Sequence, residues 1–193
     1  MTPYRNDSGS KRSRHAKLPG TPQRAPSRRN LAMTPDPIRT TDDPARALAR
    51  ALLEEMRHAS LGTIAADTGL PLVTRIAVQP DRDGAPLALL SGLAAHSRAL
   101  AKDPRAGLLI AAEPGRGDAM THARLSLMGR AVLAGPDPER RARWLARDPK
   151  ATVYIELPDF SFWRIEPVSG LLNAGFGQAY RLTPADMLKP PTE

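Results

Sequence analysis

The chain has no cysteine. Disulfides, thiolate nucleophiles, cysteine-ligated zinc and iron–sulfur clusters are therefore excluded together, and the composition fits a reducing, cytoplasmic setting. No apolar run approaches the roughly 18 residues a spanning helix needs. The basic N-terminus is followed by no hydrophobic stretch, so neither a Sec nor a twin-arginine signal is expected, although Arg28 and Arg29 are adjacent. HExxH, GxSxG and P-loop patterns are all missing. The four histidines (His15, His58, His96, His122) have no metal-ligand spacing, so no metal site is expected.

What is present begins with charge. Of the 28 basic and 20 acidic side chains, residues 1–40 hold nine and two, so the tail carries +7 of the formal +8 and the rest is balanced. This tail has six prolines and almost no large apolar residue, and it reads as disordered. It either contacts nucleic acid or acidic lipid non-specifically or does nothing, and a start at Met33 is a further reading. The 193-residue length then suits one domain over 41–193.

Periodicity predicts a helix from Pro44 to His58, with Leu48, Leu52, Leu53 and Met56 on one face. Strands follow at Ser60–Ala66, Leu72–Val78 and Pro86–Ser91. A helix over Ala94–Lys102 then leads to strands at Ala106–Ala112 and Ala123–Leu133. A helix at Pro138–Arg147, strands at Phe160–Ile165 and Leu171–Ala174, and a short helix after Thr183-Pro184 complete the order. Helices and strands do not alternate, which excludes a doubly wound sheet. The pattern fits an α+β protein with a small, mostly antiparallel barrel of six to seven strands.

One stretch carries chemistry. Leu89 to Leu100 is a strand end, a short turn and a helix start bearing Ser91, His96, Ser97 and Arg98. Helix N–H groups, hydroxyls and cations so placed form an anion site suited to phosphate. Equally, Ser91 merely caps the helix and Arg98 is solvated. Arg75 lies in an otherwise apolar strand and Arg124 opens the long strand, so both are candidates to line the same cleft. His58, at the predicted helix end, reads as a favourable dipole partner rather than a ligand. Gly175-Phe176-Gly177 precedes no phosphate-binding helix and is weak alone.

Several segments together resemble a known family. They are Asp43-Pro44-Ala45-Arg46, Val73-Thr74-Arg75-Ile76, Leu90 through Leu100 with Asp103-Pro104-Arg105-Ala106, Arg124 through Ala131, Asp159-Phe160 and Ala174-Gly175-Phe176-Gly177. In this order, over residues 42–182, the chain resembles the FMN-binding split-barrel proteins related to pyridoxamine 5′-phosphate oxidase, in the HugZ/HutZ haem-utilisation branch. The resemblance implies a homodimer with two flavin sites at its interface. By it, Ser91, His96, Ser97 and Arg98 would hold the FMN phosphate, with Arg75 and Arg124 flanking the flavin. Three departures matter, the first being Ala99 where many relatives have asparagine, which removes one hydrogen bond near the turn. The chain lacks the Arg-Leu-Ala-Pro-like ending of vitamin B6 oxidases, so that activity is not expected. No histidine lies beyond His122, so the C-terminal haem ligand of longer relatives has no counterpart.

Three readings follow. The first is a cytoplasmic, dimeric FMN oxidoreductase acting on an unspecified small molecule, with no side chain assigned as catalytic acid or base. The second is a haem-binding or haem-degrading protein using His96, His122 or water as ligand. The third is a flavin-free interaction protein whose basic tail binds acidic partners.

Overall fold

The computed structural model describes residues 38–112 and 117–190. The tail reading for residues 1–37, and part of the loop expected at Glu113–His122, lie outside the described residues. Residues Ile38–Arg39, assigned to that tail by composition, instead form a short strand β1.

The other elements are α1 (Asp43–Glu55), β2 (His58–Ile64), β3 (Pro71–Pro80), β4 (Pro86–Ser91), α2 (Ala95–Lys102), β5 (Arg105–Ala111), β6 (Arg124–Leu133), α3 (Pro138–Arg147), β7 (Phe160–Asn173), β8 (Ala179–Leu182) and α4 (Pro184–Met187). The sheet runs β1-β8-β7-β4-β3-β2-β5-β6, and β6 returns to pair with β7. Six antiparallel strands therefore close a barrel, while β8 extends it along β7 and β1 joins β8 in parallel. Closure removes the exposed sheet edges of the barrel strands. Among the described residues no helix is long and apolar enough to cross a membrane.

Local chemistry explains most boundaries. Asp42 caps α1 through its carboxylate, which accepts from Ala45 N–H at 2.9 Å, with Pro44 in the first turn. The helix ends at Glu55, three residues before the position expected, so His58 opens β2 instead of closing a helix. Ala45, Ala49, Leu52 and Leu53 bury the inner face of α1 in the main core, which also holds Leu61, Ile76, Leu108 and Leu127 from the barrel. Strand β4 is buried on both faces. Ala88 and Leu90 join the main core, while Leu87 and Leu89 pack with Trp144 of α3 and with Ala151. That double burial is why its sequence is continuously apolar rather than alternating.

The two late strands expected at Phe160–Ile165 and Leu171–Ala174 are one 14-residue strand. A β-bulge opposite Met128/Gly129 absorbs Val168 and accommodates Pro167, which has no N–H for a regular ladder. Strand β8 at Ala179–Leu182 is an addition to the expected strand order.

Candidate functional site

The β4–α2 turn gathers four of the six expected residues. Ser91 is the last residue of β4. Its hydroxyl donates to the Asp159 carboxylate at 2.5 Å and accepts from Leu93 N–H at 3.1 Å. Gly92 N–H donates to the Asp159 carbonyl at 2.6 Å, and a Cβ at Gly92 would stand 3.4 Å from that oxygen, so the close approach suits glycine. The segment preceding β7 is thereby bound to the turn.

Helix α2 starts without a side-chain cap. His96 Nδ1 shares a hydrogen bond with Thr74 Oγ1 of β3 at 3.1 Å, and partial burial lowers its pKa. Burial thus favours the neutral form of this imidazole. Arg98 is exposed and its guanidinium donates to the Leu93 carbonyl. Ser97 is 3% exposed and its hydroxyl has no hydrogen-bond partner. The turn as folded thus offers one free hydroxyl and one cation, beside a carboxylate that the sequence reading did not include.

Arg75 and Arg124 do not join this turn within one chain. Side chains alternate along a strand, and Thr74 faces His96, so Arg75 points to the opposite face of β3. There it borders a cleft of about 230 Å³ with His58, Ser60, Leu109 and Ala111. Arg124 sits three strands away on β6, where its guanidinium donates to the carbonyls of Met120 (2.9 Å) and His122 (3.3 Å). His58 is the residue that sequence reasoning misassigned. It was placed at a helix end, and only the actual helix boundary turns it toward Arg75.

The outer barrel face around this cleft is apolar and open. Strand registers align Arg75, Ser60, Leu109, Ser126 and Leu171 in one row, and Val73, Gly62, Gly107, Met128 and Ser169 in the next. Val73, Leu109, Met128, Val168 and Leu171 are all exposed. Gly175-Phe176-Gly177 forms the turn between β7 and β8, with both glycines at positive φ and Phe176 94% exposed. No helix follows it closely enough to make a phosphate cradle.

No family model matches the chain. Against known proteins it is 37% identical over 116 residues to the chloroplastic heme oxygenase HOZ of Arabidopsis thaliana, covering 56% of this chain and 35% of that protein. The chain therefore spans about a third of that curated relative. A heme binding protein from Mycobacterium smegmatis is 28% identical, with a TM-score of 0.69 over 76% of this chain and 60% of its own. Another solved chain is 76% identical over 79% of this chain and 100% of its own, with a TM-score of 0.76. More distant likenesses show the fold alone: HutZ of Vibrio cholerae (20% identity, TM-score 0.53, 61% of this chain and 85% of that one) and a general stress protein 26 relative of the pyridoxinephosphate oxidase family from Clostridium acetobutylicum (15%, 0.59, 76% and 99%). The barrel fold is shared across the solved structures of this set. The chain therefore shares the split-barrel fold of these proteins, and it resembles the pyridoxamine 5′-phosphate oxidase-like family in its haem-utilisation branch, as its sequence motifs imply.

Proposed function

We propose that the protein binds haem against its outer barrel face, as a dimer of two copies. The observation that carries this is the juxtaposition of His58 and Arg75 on one open cleft floored by Leu109 and Ala111. An imidazole suits haem iron, a guanidinium suits a propionate carboxylate, and the apolar floor suits the macrocycle. At about 230 Å³ the cleft is one wall of a site rather than an enclosure. The exposed apolar rows beside it supply a self-complementary face on which a second copy would complete that enclosure. Two relatives named for haem, at 37% and 28% identity, support the same reading. Bound haem would supply the redox chemistry; the chain's part is to ligate, orient and shield it. The absence of cysteine supports placing this activity in the cytoplasm.

The FMN oxidoreductase reading rests on a different observation, the unpartnered buried hydroxyl of Ser97 beside Arg98 at the start of α2. A flavin phosphate would occupy that turn, with Asp159 opposing it electrostatically. Titration of the purified chain with haemin and with FMN separates the two. The haem reading expects a sharp Soret band saturating at one haem per chain. His58→Ala then shifts the band, and Arg75→Ala weakens uptake about tenfold, equivalent to ~1.4 kcal/mol. Flavin uptake lost in Ser97→Ala, with no Soret band in the parent, would transfer the assignment to FMN.

A further inference from the structure

Away from both readings lies a cavity of about 350 Å³ under α3. Its walls come from α1, the β3–β4 hairpin, α3 and the segment after α4. Five cationic side chains line it, Arg82, Arg140, Arg143, Arg147 and Lys189, with two carboxylates, Glu54 and Asp81; Arg82 also pairs with Glu139 and Arg140 stands 3.8 Å from Asp137, just outside the lining. Both carboxylates are already engaged. Glu54 pairs with Lys189 at 3.0 Å and Arg147 at 3.6 Å. Asp81 accepts from Arg143 at 3.0 Å and from Arg164 at 3.1 Å.

Donors are left over. Arg140 Nε, Trp144 Nε1 and Arg147 Nε are buried without a hydrogen-bond partner. Among the described residues they are the only buried side-chain N–H groups so placed, the other two unpartnered atoms being the hydroxyls of Thr63 and Ser97. Positions 140, 144 and 147 fall on one face of α3, and all three residues line the cavity. Trp144 is 1% exposed. An orphaned buried donor costs about 1–3 kcal/mol until an acceptor, a water or a ligand oxygen, reaches it. Burial and the nearby charge of Arg57 also lower the pKa of Arg147, which Glu54 only partly counters.

We propose that this cavity binds a compact oxyanion, a phosphoryl or carboxylate group on a small molecule, whose oxygens accept from the α3 donors. Pro80, Leu87 and the Trp144 ring would contact the remainder of the ligand. The site shares no residue with the β4–α2 turn or the Arg75 cleft, so it stands independently of the cofactor.

The test is calorimetric titration of the full chain with inorganic phosphate and with succinate, at ionic strength held constant with sodium chloride. Thermal unfolding is followed in the same buffers. The expected result is saturable binding of one anion per chain with a raised Tm, phosphate or succinate preference naming the oxyanion class. Lys189→Gln, at the solvent edge, and Arg147→Gln each weaken it at least tenfold while haemin and FMN responses are unchanged. If Arg147→Gln fails to fold, Lys189→Gln decides. Binding of neither anion, an equal response to chloride, or unchanged affinity in the folded variants would overturn the proposal and leave a water-filled cavity.

Discussion

Asp81 is the residue on which the β3–β4 hairpin and α3 depend. Its side chain is 8% exposed and accepts from Arg143 and Arg164, with Arg140 at 3.8 Å. Removing the carboxylate charge would strip Arg143 of its carboxylate partner in a partly desolvated pocket, while Arg164 keeps Asp83 and Arg140 keeps Asp137. Asp81→Asn is expected to cost about 3 kcal/mol, read as a lowered urea midpoint with an unchanged slope. A loss below about 0.5 kcal/mol, the usual range for surface positions, would show that these charges are solvated and independent.

His96 gives a pH dependence. Burial lowers its folded pKa below the ordinary 6.5, so the unfolded chain binds the proton more readily. The associated stability is fully present above about pH 6.5 and is lost as pH falls through the folded pKa. His96→Gln keeps a partner for Thr74 and removes the titration. Denaturation midpoints at pH 7.5 and 5 should therefore converge in the variant relative to the parent. An unchanged gap would assign the acid sensitivity to another group.

At the scale of elements, the bulge between β6 and β7 is the tightest constraint. A Cβ at Gly129 would lie 2.3 Å from the Glu166 carbonyl oxygen and 3.1 Å from its carbon, both backbone atoms of the paired strand. Neither can move aside without opening the ladder. Gly129→Ala should cost about 2 kcal/mol or more through overpacking, measured by thermal unfolding. Gly170→Ala is the control. Its nearest obstacle is the Met187 sulfur at 2.9 Å, a flexible side-chain atom, so the smaller loss belongs there.

Helices and short strands were legible in the sequence wherever local chemistry marked them. Asp137 and Pro138 open α3 at the position read from sequence, because the Asp137 carboxylate accepts from Glu139 and Arg140 N–H groups. Pro86–Ser91 was recovered because double burial leaves an unbroken apolar run. Strand β7 was expected as two strands, and pairing with β6 lets a bulge carry one continuous strand through Glu166-Pro167. The end of α1 was misplaced because no glycine or proline stops it. Met56 turns into extended backbone, and β2 begins two residues later.

For the whole molecule, the open face of the barrel is the feature a single chain leaves unsatisfied. Val73, Leu109 and Met128 lie exposed in adjoining rows between serines and glycines that permit close approach. A dimer on this face predicts that Leu109→Glu shifts the chain from dimer to monomer in sedimentation equilibrium, with little change in far-UV circular dichroism. Haemin affinity should fall in parallel if the second copy completes the site. A parent chain that sediments as a monomer at micromolar concentration would remove the dimer from the proposal.

The sequence by itself determined the class of the molecule. Strand and helix order excluded a doubly wound sheet, and the segments from Asp43 to Gly177 carried the family resemblance. Ser91, His96, Ser97 and Arg98 could be grouped because they lie within eight residues, where spacing alone fixes proximity. Only the tertiary structure decided what surrounds them. Asp159, 68 residues beyond Ser91, sets the charge of that turn. Strand alternation and register send Arg75 away from it toward His58. The partners of a strand residue are set by which strands pair and in what register, and single-chain periodicity does not encode either.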